Sequence, residues 1–179
     1  MQPWTLATVV VAILSGPVAA QAPGGQLRLN VVDGLSGHER RLVVSKDGSD
    51  VGAIAVPSRV SATALEQGLK AMRRHPNGND LAVGLRGEEG SFVVVFVLQA
   101  SGRYVGVDVS RVEQVNLGVI GRDRTFRDVQ TTPTEWLHRP EGDDSVQIRI
   151  QTRATDSSGR QYFATEPLII TRQGRALWR

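Results

Sequence analysis

An unbroken apolar run, Phe92–Leu98, lies near the middle of the chain and is rich in β-branched and aromatic residues. After a short loop that contains glycine, valines recur at every second position, at Val105, Val107 and Val109. Alternation indicates a half-buried strand, whereas a run that is apolar throughout indicates a strand covered on both faces. The pattern therefore predicts a β-hairpin over Gly90–Ser110 whose first strand lies at the centre of a sheet.

Shorter apolar or alternating segments, each bounded by turn residues, are typical of further strands. They are Leu27–Val32, Arg40–Ser45, Val51–Val56 and Asp80–Arg86, with a weaker pattern in Gln114–Ile120 and Thr125–Gln130. Ser110 and Glu113 have the spacing of a helical capping box, which indicates a single helical turn after the central hairpin.

A second hairpin is predicted near the C-terminal end of the sequence. The apolar side chains Val146, Ile148 and Ile150 alternate with polar ones, and a turn over residues 156–159 leads into further strand segments. Pro167 lies among these segments and has no backbone N–H to donate, so we expect this part to form a sheet edge or a bulge.

One segment, Ser61–His75, has the spacing of an α-helix, which we expect to cover about residues 63–75. Thr63 and Glu66 are placed as a capping box, in which each side chain satisfies an exposed backbone N–H. The apolar stripe consists of Leu65, Leu69 and Met72. The positive residues that suit the C-terminal end of a helix dipole are Arg73, Arg74 and His75.

These elements predict a mainly β fold. Several short strands separated by turns favour an antiparallel β-sandwich, with an Ig-like arrangement first and a curled sheet as the alternative. One α-helix packs on the sheet in either case. We expect residues 21–179 to form a single β-rich domain.

The first 20 residues have the layout of a secretory signal peptide. An apolar core over Leu6–Leu14 is followed by helix-breaking residues and by small residues before a cleavage site after Ala20. This predicts a periplasmic or secreted protein. The alternative is an uncleaved membrane anchor over residues 4–20 that holds the domain on the periplasmic side. The apolar run is shorter than a membrane span requires, which favours the signal peptide.

The composition of the chain excludes several kinds of catalytic, metal and cofactor site. The chain has no cysteine, which removes disulfides, thiolate metal sites and a cysteine nucleophile. Its net charge is +3, but the arginines are interleaved with acidic residues and form no basic stripe, so we predict no nucleic-acid partner. No phosphate-binding loop or dinucleotide fingerprint is present, and the Gly48–Gly52 segment has aspartate where a nucleophile elbow has serine. We therefore predict no cofactor.

The histidines, His38, His75 and His138, are far apart and lack the spacing of metal ligands, so no metal site is predicted. A loop with Glu141, Asp143 and Asp144 has the oxygen ligands that calcium prefers, although a solvated turn is the simpler interpretation.

Asp108 is the acidic residue that the pattern places closest to burial. It lies in the central hairpin on the side opposite the valines, and if that face is covered it needs a partner such as an arginine.

The segment Thr131–Ser145 lacks periodicity and is predicted to be a long loop, which in a compact domain is commonly functional. Its large apolar residues, Trp136 and Leu137, precede His138 and Arg139, and exposed aromatic residues mark interfaces. Arg149 and Arg153 lie on the polar side of the following strand, where they protect a sheet edge or contact an acidic partner. The predicted binding residues are Trp136, Leu137, His138, Arg139, Arg149 and Arg153, and no catalytic residues are predicted.

The function that these features favour is an exported, non-enzymatic interaction or structural module with a protein partner, such as an accessory subunit of a cell-envelope complex. One alternative is a membrane-tethered accessory subunit with an uncleaved N-terminal helix. The other is an exported hydrolase-like enzyme in which Asp108, His138 and the acidic loop converge only in the folded chain. The sequence leaves the oligomeric state open.

Overall fold

The computed structural model describes residues 27–33, 39–88, 90–139 and 144–178. The predicted signal peptide, His38, Glu141 and Asp143 lie outside these residues. The strands of the described part are β1 (Leu27–Asp33), β2 (Arg40–Lys46), β3 (Ser49–Val56), β4 (Arg73–Arg74), β5 (Leu81–Gly87), β6 (Gly90–Leu98), β7 (Tyr104–Asp108), β8 (Phe126–Leu137), β9 (Ser145–Asp156), β10 (Gln161–Thr171) and β11 (Ala176–Leu177). The helices there are α1 (Ala62–Lys70) and α2 (Val112–Gly121). Neither is long and apolar enough to cross a bilayer, a finding that concerns only the described residues.

The strand pairs within the sheets are antiparallel. The sheets have the strand orders β1-β2-β3, β4-β5-β6-β7 and β11-β10-β9-β8. This confirms the predicted mainly β sandwich with a packed helix. An Ig-like sandwich has two sheets, whereas the described part of this chain has three and a second helix, α2.

The central hairpin is confirmed as β6 and β7, and β6 lies inside the middle sheet between β5 and β7. Its side chains alternate between two separate cores because successive residues of a strand point to opposite faces. Phe92, Val94 and Phe96 belong to a first core, and Val93 and Val95 belong to a second. The prediction that this strand is buried on both faces is therefore confirmed.

The first core lies between the middle sheet, the β1-β2-β3 sheet and α1. Its buried apolar side chains include Leu42 and Val44 from β2 and Leu65 from α1. The second core lies between the opposite face of the middle sheet and the β11-β10-β9-β8 sheet. Ile148 of β9 and Leu168 of β10 are completely buried there. The middle sheet is thus shared by both cores.

Two glycines allow the layers to approach closely. A Cβ on Gly68 of α1 would lie 2.2 Å from Leu85 Cδ2 and 2.9 Å from the Gly84 carbonyl oxygen on β5. A Cβ on Gly84 would lie 2.7 Å from the carbonyl oxygen of Thr131 on β8. Because both distances to backbone atoms are shorter than a real Cβ contact, neither position accepts a side chain without a shift of the backbone.

Helix α1 differs from its prediction at both ends. Its N-cap is Ser61, whose hydroxyl accepts a hydrogen bond from the Ala64 N–H at 3.2 Å, so the predicted Thr63–Glu66 capping box is wrong. The helix ends at Lys70, and Arg73–Arg74 pair with β5 as strand β4. His75 therefore follows a strand and does not lie at a helix terminus.

Two further predictions are corrected. Gln114–Ile120 lies in α2 and is not a strand. The predicted loop Thr131–Ser145 is largely wrong, because β8 continues through residues 131–137 and β9 begins at Ser145. Pro133 and the irregular register around it interrupt the alternation of apolar and polar residues, so the sequence pattern does not identify this strand. The strand lies at the end of its sheet.

The C-terminal hairpin is confirmed as β9 and β10. Pro167 occupies a ladder position opposite Arg149, and among the described residues the sheet continues beyond β10 with the short β11 alone, at Ile169 and Ile170. The absent N–H of Pro167 therefore removes no pairing with β11, which agrees with the prediction of an edge position.

Candidate binding face

The β11-β10-β9-β8 sheet has one face in the second core and one face outside it. Val146, Ile148 and Ile150 of β9 are buried in that core, so the intervening residues of β9 and their register partners form the other face. We call this surface the outer face. It comprises Arg127, Gln130, Thr132, Glu135 and Leu137 of β8, Gln147, Arg149, Gln151, Arg153 and Thr155 of β9, Gln161, Phe163, Thr165, Pro167 and Ile169 of β10, and Leu177 of β11.

One end of the outer face is apolar. Leu137, Gln147, Ile169 and Leu177 are successive register partners across the strands β8, β9, β10 and β11. Leu177 is 48% exposed, and Leu137 and Ile169 are partly exposed. We call Leu137, Ile169 and Leu177 the apolar row. The next position along β9 is Arg149, which forms an ion pair with Glu135 of β8.

The other end of the outer face is polar and slightly concave. Gln130, Thr132, Gln151, Arg153 and Phe163 line a shallow depression of about 210 Å³. Phe163 is 57% exposed, which is unusual for so large an apolar side chain. Within the described residues, the guanidinium of Arg153 has neither a hydrogen bond nor an ion pair. We call these five residues the polar depression.

The turn between β9 and β10 is held by Asp156. Its carboxylate accepts hydrogen bonds from the hydroxyl and N–H of Ser158, from the N–H of Arg160 and from the phenol of Tyr162. The Ser158 hydroxyl, followed by the Tyr162 phenol and the backbone N–H groups, lowers the pKa of Asp156 from 3.8 to about 2. This turn fixes the beginning of β10 and thereby the position of Phe163.

The predicted binding residues are divided between the two sides of the sheet. Leu137, Arg149 and Arg153 lie on the outer face. Trp136 lies on the inner side of β8, where it packs against the second core and contacts the ring of His75 edge to face at 4.9 Å. Its Nε1 is buried and has no hydrogen-bond partner in the part of the chain that the structure describes.

His138 and Arg139 follow the end of β8, with His138 exposed and Arg139 half-buried. They are therefore next to the apolar row in sequence. A binding role for any of these residues stays a prediction.

The prediction that Asp108 is the acid closest to burial is wrong. Its carboxylate is exposed and accepts hydrogen bonds from the N–H and hydroxyl of Ser110, and no arginine pairs with it within the described residues. The buried acids there are Asp80, which is completely buried, and Glu113, which is 9% exposed. Sequence reasoning missed both because their partners are distant in the chain.

Asp80 joins the middle sheet to the end of β10. It forms an ion pair with Arg172 and accepts a hydrogen bond from the Leu98 N–H at 2.9 Å. Burial, and to a smaller extent the negative charge of Asp80, raises the pKa of Tyr104, while Arg74 and Arg172 oppose the shift. The Asp80 carboxylate is completely buried in this ion pair, so a ligand does not reach it.

Glu113 is the centre of a buried polar cluster between α2 and the sheets. Its carboxylate accepts from the Ser91 N–H at 3.1 Å and from the Thr131 hydroxyl at 2.7 Å. Thr131 also contacts the Thr152 hydroxyl, which accepts from the Asn116 amide at 2.9 Å. The only sequence signal for this cluster is the capping-box spacing of Ser110 and Glu113. Neither side chain caps the helix as that pattern predicts, since the Ser110 hydroxyl accepts from Val93 on β6.

The predicted hydrolase-like site receives no supporting contact from the described residues. Asp108 forms no hydrogen bond or ion pair with His138 there. Asp144 of the acidic loop accepts a hydrogen bond from the Gln173 amide at 2.6 Å. Among the described residues no group of three histidines or acids is placed to hold a metal ion. Glu141 and Asp143 lie outside those residues, so calcium binding by the loop stays a hypothesis.

No family model matches this sequence, no curated protein matches it, and no solved structure matches the fold.

Proposed function

We propose that this chain is an exported, non-enzymatic interaction module that binds a protein partner of the cell envelope through the apolar row. The observation that carries the proposal is the exposure of Leu177 beside Ile169 on adjacent strands, with Leu137 beyond Gln147 in the same row of one sheet face. A contiguous apolar patch rimmed by polar groups on a folded protein marks an interaction surface, whereas single exposed apolar residues do not.

The surroundings of the apolar row support a protein interface. Polar groups surround its members, since Gln147 lies between Leu137 and Ile169 and the Arg149–Glu135 ion pair occupies the next position along the strands. Protein interfaces combine an apolar centre with a polar rim, and charged groups at the rim orient the partner. We propose that His138 and Arg139 extend the rim beyond the end of β8.

The cellular location rests on the sequence of Met1–Ala20. Its apolar core, its helix-breaking residues and the small residues before Ala20 support export through a secretory signal peptide. The domain then acts in the periplasm or outside the cell. If the segment is not cleaved, the same domain acts as a membrane-tethered accessory subunit, and the apolar row has the same role.

The test compares capture of envelope proteins by the wild-type chain and by two variants of the apolar row. Leu137→Asp and Leu177→Asp place a charge at opposite ends of the row, and each should weaken capture of the same partner by about tenfold or more, which corresponds to about 1.4 kcal/mol. The control is Val119→Asp on α2, because Val119 is 73% exposed and lies away from the outer face.

Circular dichroism melting of each variant shows whether the fold is retained. Equal capture by the control and by both row variants would contradict the proposal, and so would loss of capture that follows only loss of fold. Mass spectrometry of protein from the native source identifies its first residue. Gln21 is expected, and Met1 would instead support the tethered form.

A further inference from the structure

We propose that the polar depression binds an acidic polysaccharide, a chain of sugar rings that carry carboxylate groups. This site is at the opposite end of the outer face from the apolar row and does not depend on the proposed protein partner. Its geometry follows from the strand register. Gln130, Arg153 and Phe163 are direct partners across β8, β9 and β10, and so are Thr132, Gln151 and Thr165.

These two rows form a compact grid. Neighbouring strands lie about 4.8 Å apart, and successive side chains on one face lie about 7 Å apart along a strand. The grid therefore measures about 10 Å by 7 Å, which is wide enough for a sugar ring to contact side chains of all three strands. Because the side chains stand on paired strands, their positions are fixed before a ligand arrives.

The charge of the grid favours an anion. Arg153 lies on its middle strand, and in the next row Arg127 of β8 is exposed and likewise has no ion pair among the described residues. The nearby carboxylates of β8 are already engaged, Glu135 with Arg149 and Asp128 with Arg86. A planar guanidinium without a competing ion pair binds a carboxylate through two parallel hydrogen bonds.

The uncharged groups favour a sugar over a simple anion. Gln130, Gln151, Thr132 and Thr165 each offer both a donor and an acceptor, which is what a hydroxyl group requires of its partners. Phe163 presents an exposed ring against which the C–H face of a sugar can bury apolar surface. A chain of acidic sugars combines hydroxyl groups, an apolar ring face and a carboxylate at the spacing of one ring.

The test is calorimetric titration of the purified protein with a tetramer of galacturonate and, separately, with a neutral tetramer of glucose. The acidic tetramer should bind at least about tenfold more tightly than the neutral one, because one charge-assisted contact is worth that much. Arg153→Gln should lower the affinity for the acidic tetramer by about tenfold, and Phe163→Ala should lower it by about fivefold.

The matched control is Arg41→Gln, which removes an exposed arginine of β2 in another sheet. This variant should bind the acidic tetramer as the wild type does. Absence of binding, or equal loss in Arg153→Gln and Arg41→Gln, would overturn the proposal. Equally tight binding of a single-stranded DNA oligonucleotide would also overturn it, because that result would indicate a general polyanion surface. So would binding of an acidic envelope protein to the polar depression without binding of the acidic tetramer.

Discussion

Asp156 shows how one side chain determines the geometry of a whole turn. The carboxylate replaces water as the acceptor for backbone N–H groups that the turn leaves unpaired, at 2.9 Å from Ser158 and 3.1 Å from Arg160. An ionised carboxylate accepts such bonds better than a neutral carboxyl group, which is why they lower its pKa. Protonation of Asp156 must therefore weaken the turn.

We expect the stability contribution of Asp156 to be present at pH 5 and to disappear in acid. The pKa of Asp156 is about 2 in the folded chain against 3.8 ordinarily, so the contribution is lost as the pH falls from about 4 towards 2. The free energy of unfolding of Asp156→Asn should thus be below that of the wild type at pH 5, and the difference should shrink by pH 2. Urea unfolding at a series of pH values measures both curves.

The control for this experiment is Asp123→Asn, which removes an exposed carboxylate that has no hydrogen bond among the described residues. Its difference from the wild type should not change in the same way between pH 5 and pH 2. A constant difference for Asp156→Asn over that range would contradict the assignment.

Turn residues such as Asp156 could be located from the sequence, whereas the buried acids could not. The groups that donate hydrogen bonds to Asp156 lie within a few residues of it in the chain, so the local sequence is sufficient to predict the turn over residues 156–159. Asp80 pairs with Arg172, and Glu113 bonds to Ser91 and Thr131, partners that only the folded chain brings near. Because the sequence does not show these contacts, its pattern placed Asp108 closer to burial than Asp80 or Glu113.

Helix α2 buries two of its polar residues and exposes two of its apolar residues. Glu113 and Asn116 lie three positions apart on the buried side, whereas Val115 and Val119 are exposed. A surface helix normally shows the opposite arrangement. The inversion is stable here because Thr131 and Thr152 supply buried hydroxyl partners, and it explains why valine-rich Gln114–Ile120 resembled a strand.

We expect Glu113→Ala to destabilise the fold by about 1–3 kcal/mol, because the Ser91 N–H and the Thr131 hydroxyl lose a buried acceptor. Gln114→Ala alters an exposed neighbour on the same helix and should change the free energy of unfolding by no more than about 0.5 kcal/mol. Urea unfolding of the two variants provides the comparison. Equal effects would show that the cluster does not hold α2 to the sheets.

Strands were predicted best where their own residues show a clear apolar or alternating pattern, without reference to the strands they pair with. Phe92–Leu98 and Val146–Ile150 each carry enough apolar residues to identify a strand and its buried faces. Thr131–Leu137 did not, since Pro133 and an irregular register interrupt the alternation of a strand that its neighbour β9 nevertheless pairs with. Arg73–Arg74 were predicted to belong to the helix but form a strand, because they pair with β5, and the local sequence pattern does not show this contact.

The shared middle sheet makes the stability of the whole molecule depend on both cores. β6 gives alternate side chains to each core, so loss of one core exposes apolar residues of the strand that supports the other. The sequence indicated burial of both faces of β6 and predicted that a helix packs on the sheet, but it did not indicate which strands would cover each face. That choice depends on the pairing of strands far apart in the chain.

We therefore expect the described domain to unfold in a single transition. Leu42→Ala leaves a cavity in the first core and should lower the free energy of unfolding by about 2–5 kcal/mol. Trp136 packs against the second core, so its fluorescence reports on that region. With Trp4 and Trp178 replaced by phenylalanine, fluorescence of Trp136 and far-ultraviolet circular dichroism should show coincident melting curves in both the wild type and Leu42→Ala. The variant should melt at a lower temperature by both probes, as Ile148→Ala in the second core also should. If Leu42→Ala shifted the dichroism curve and left the Trp136 curve in place, the cores would be independent units, since only an unshared sheet permits one to melt without the other.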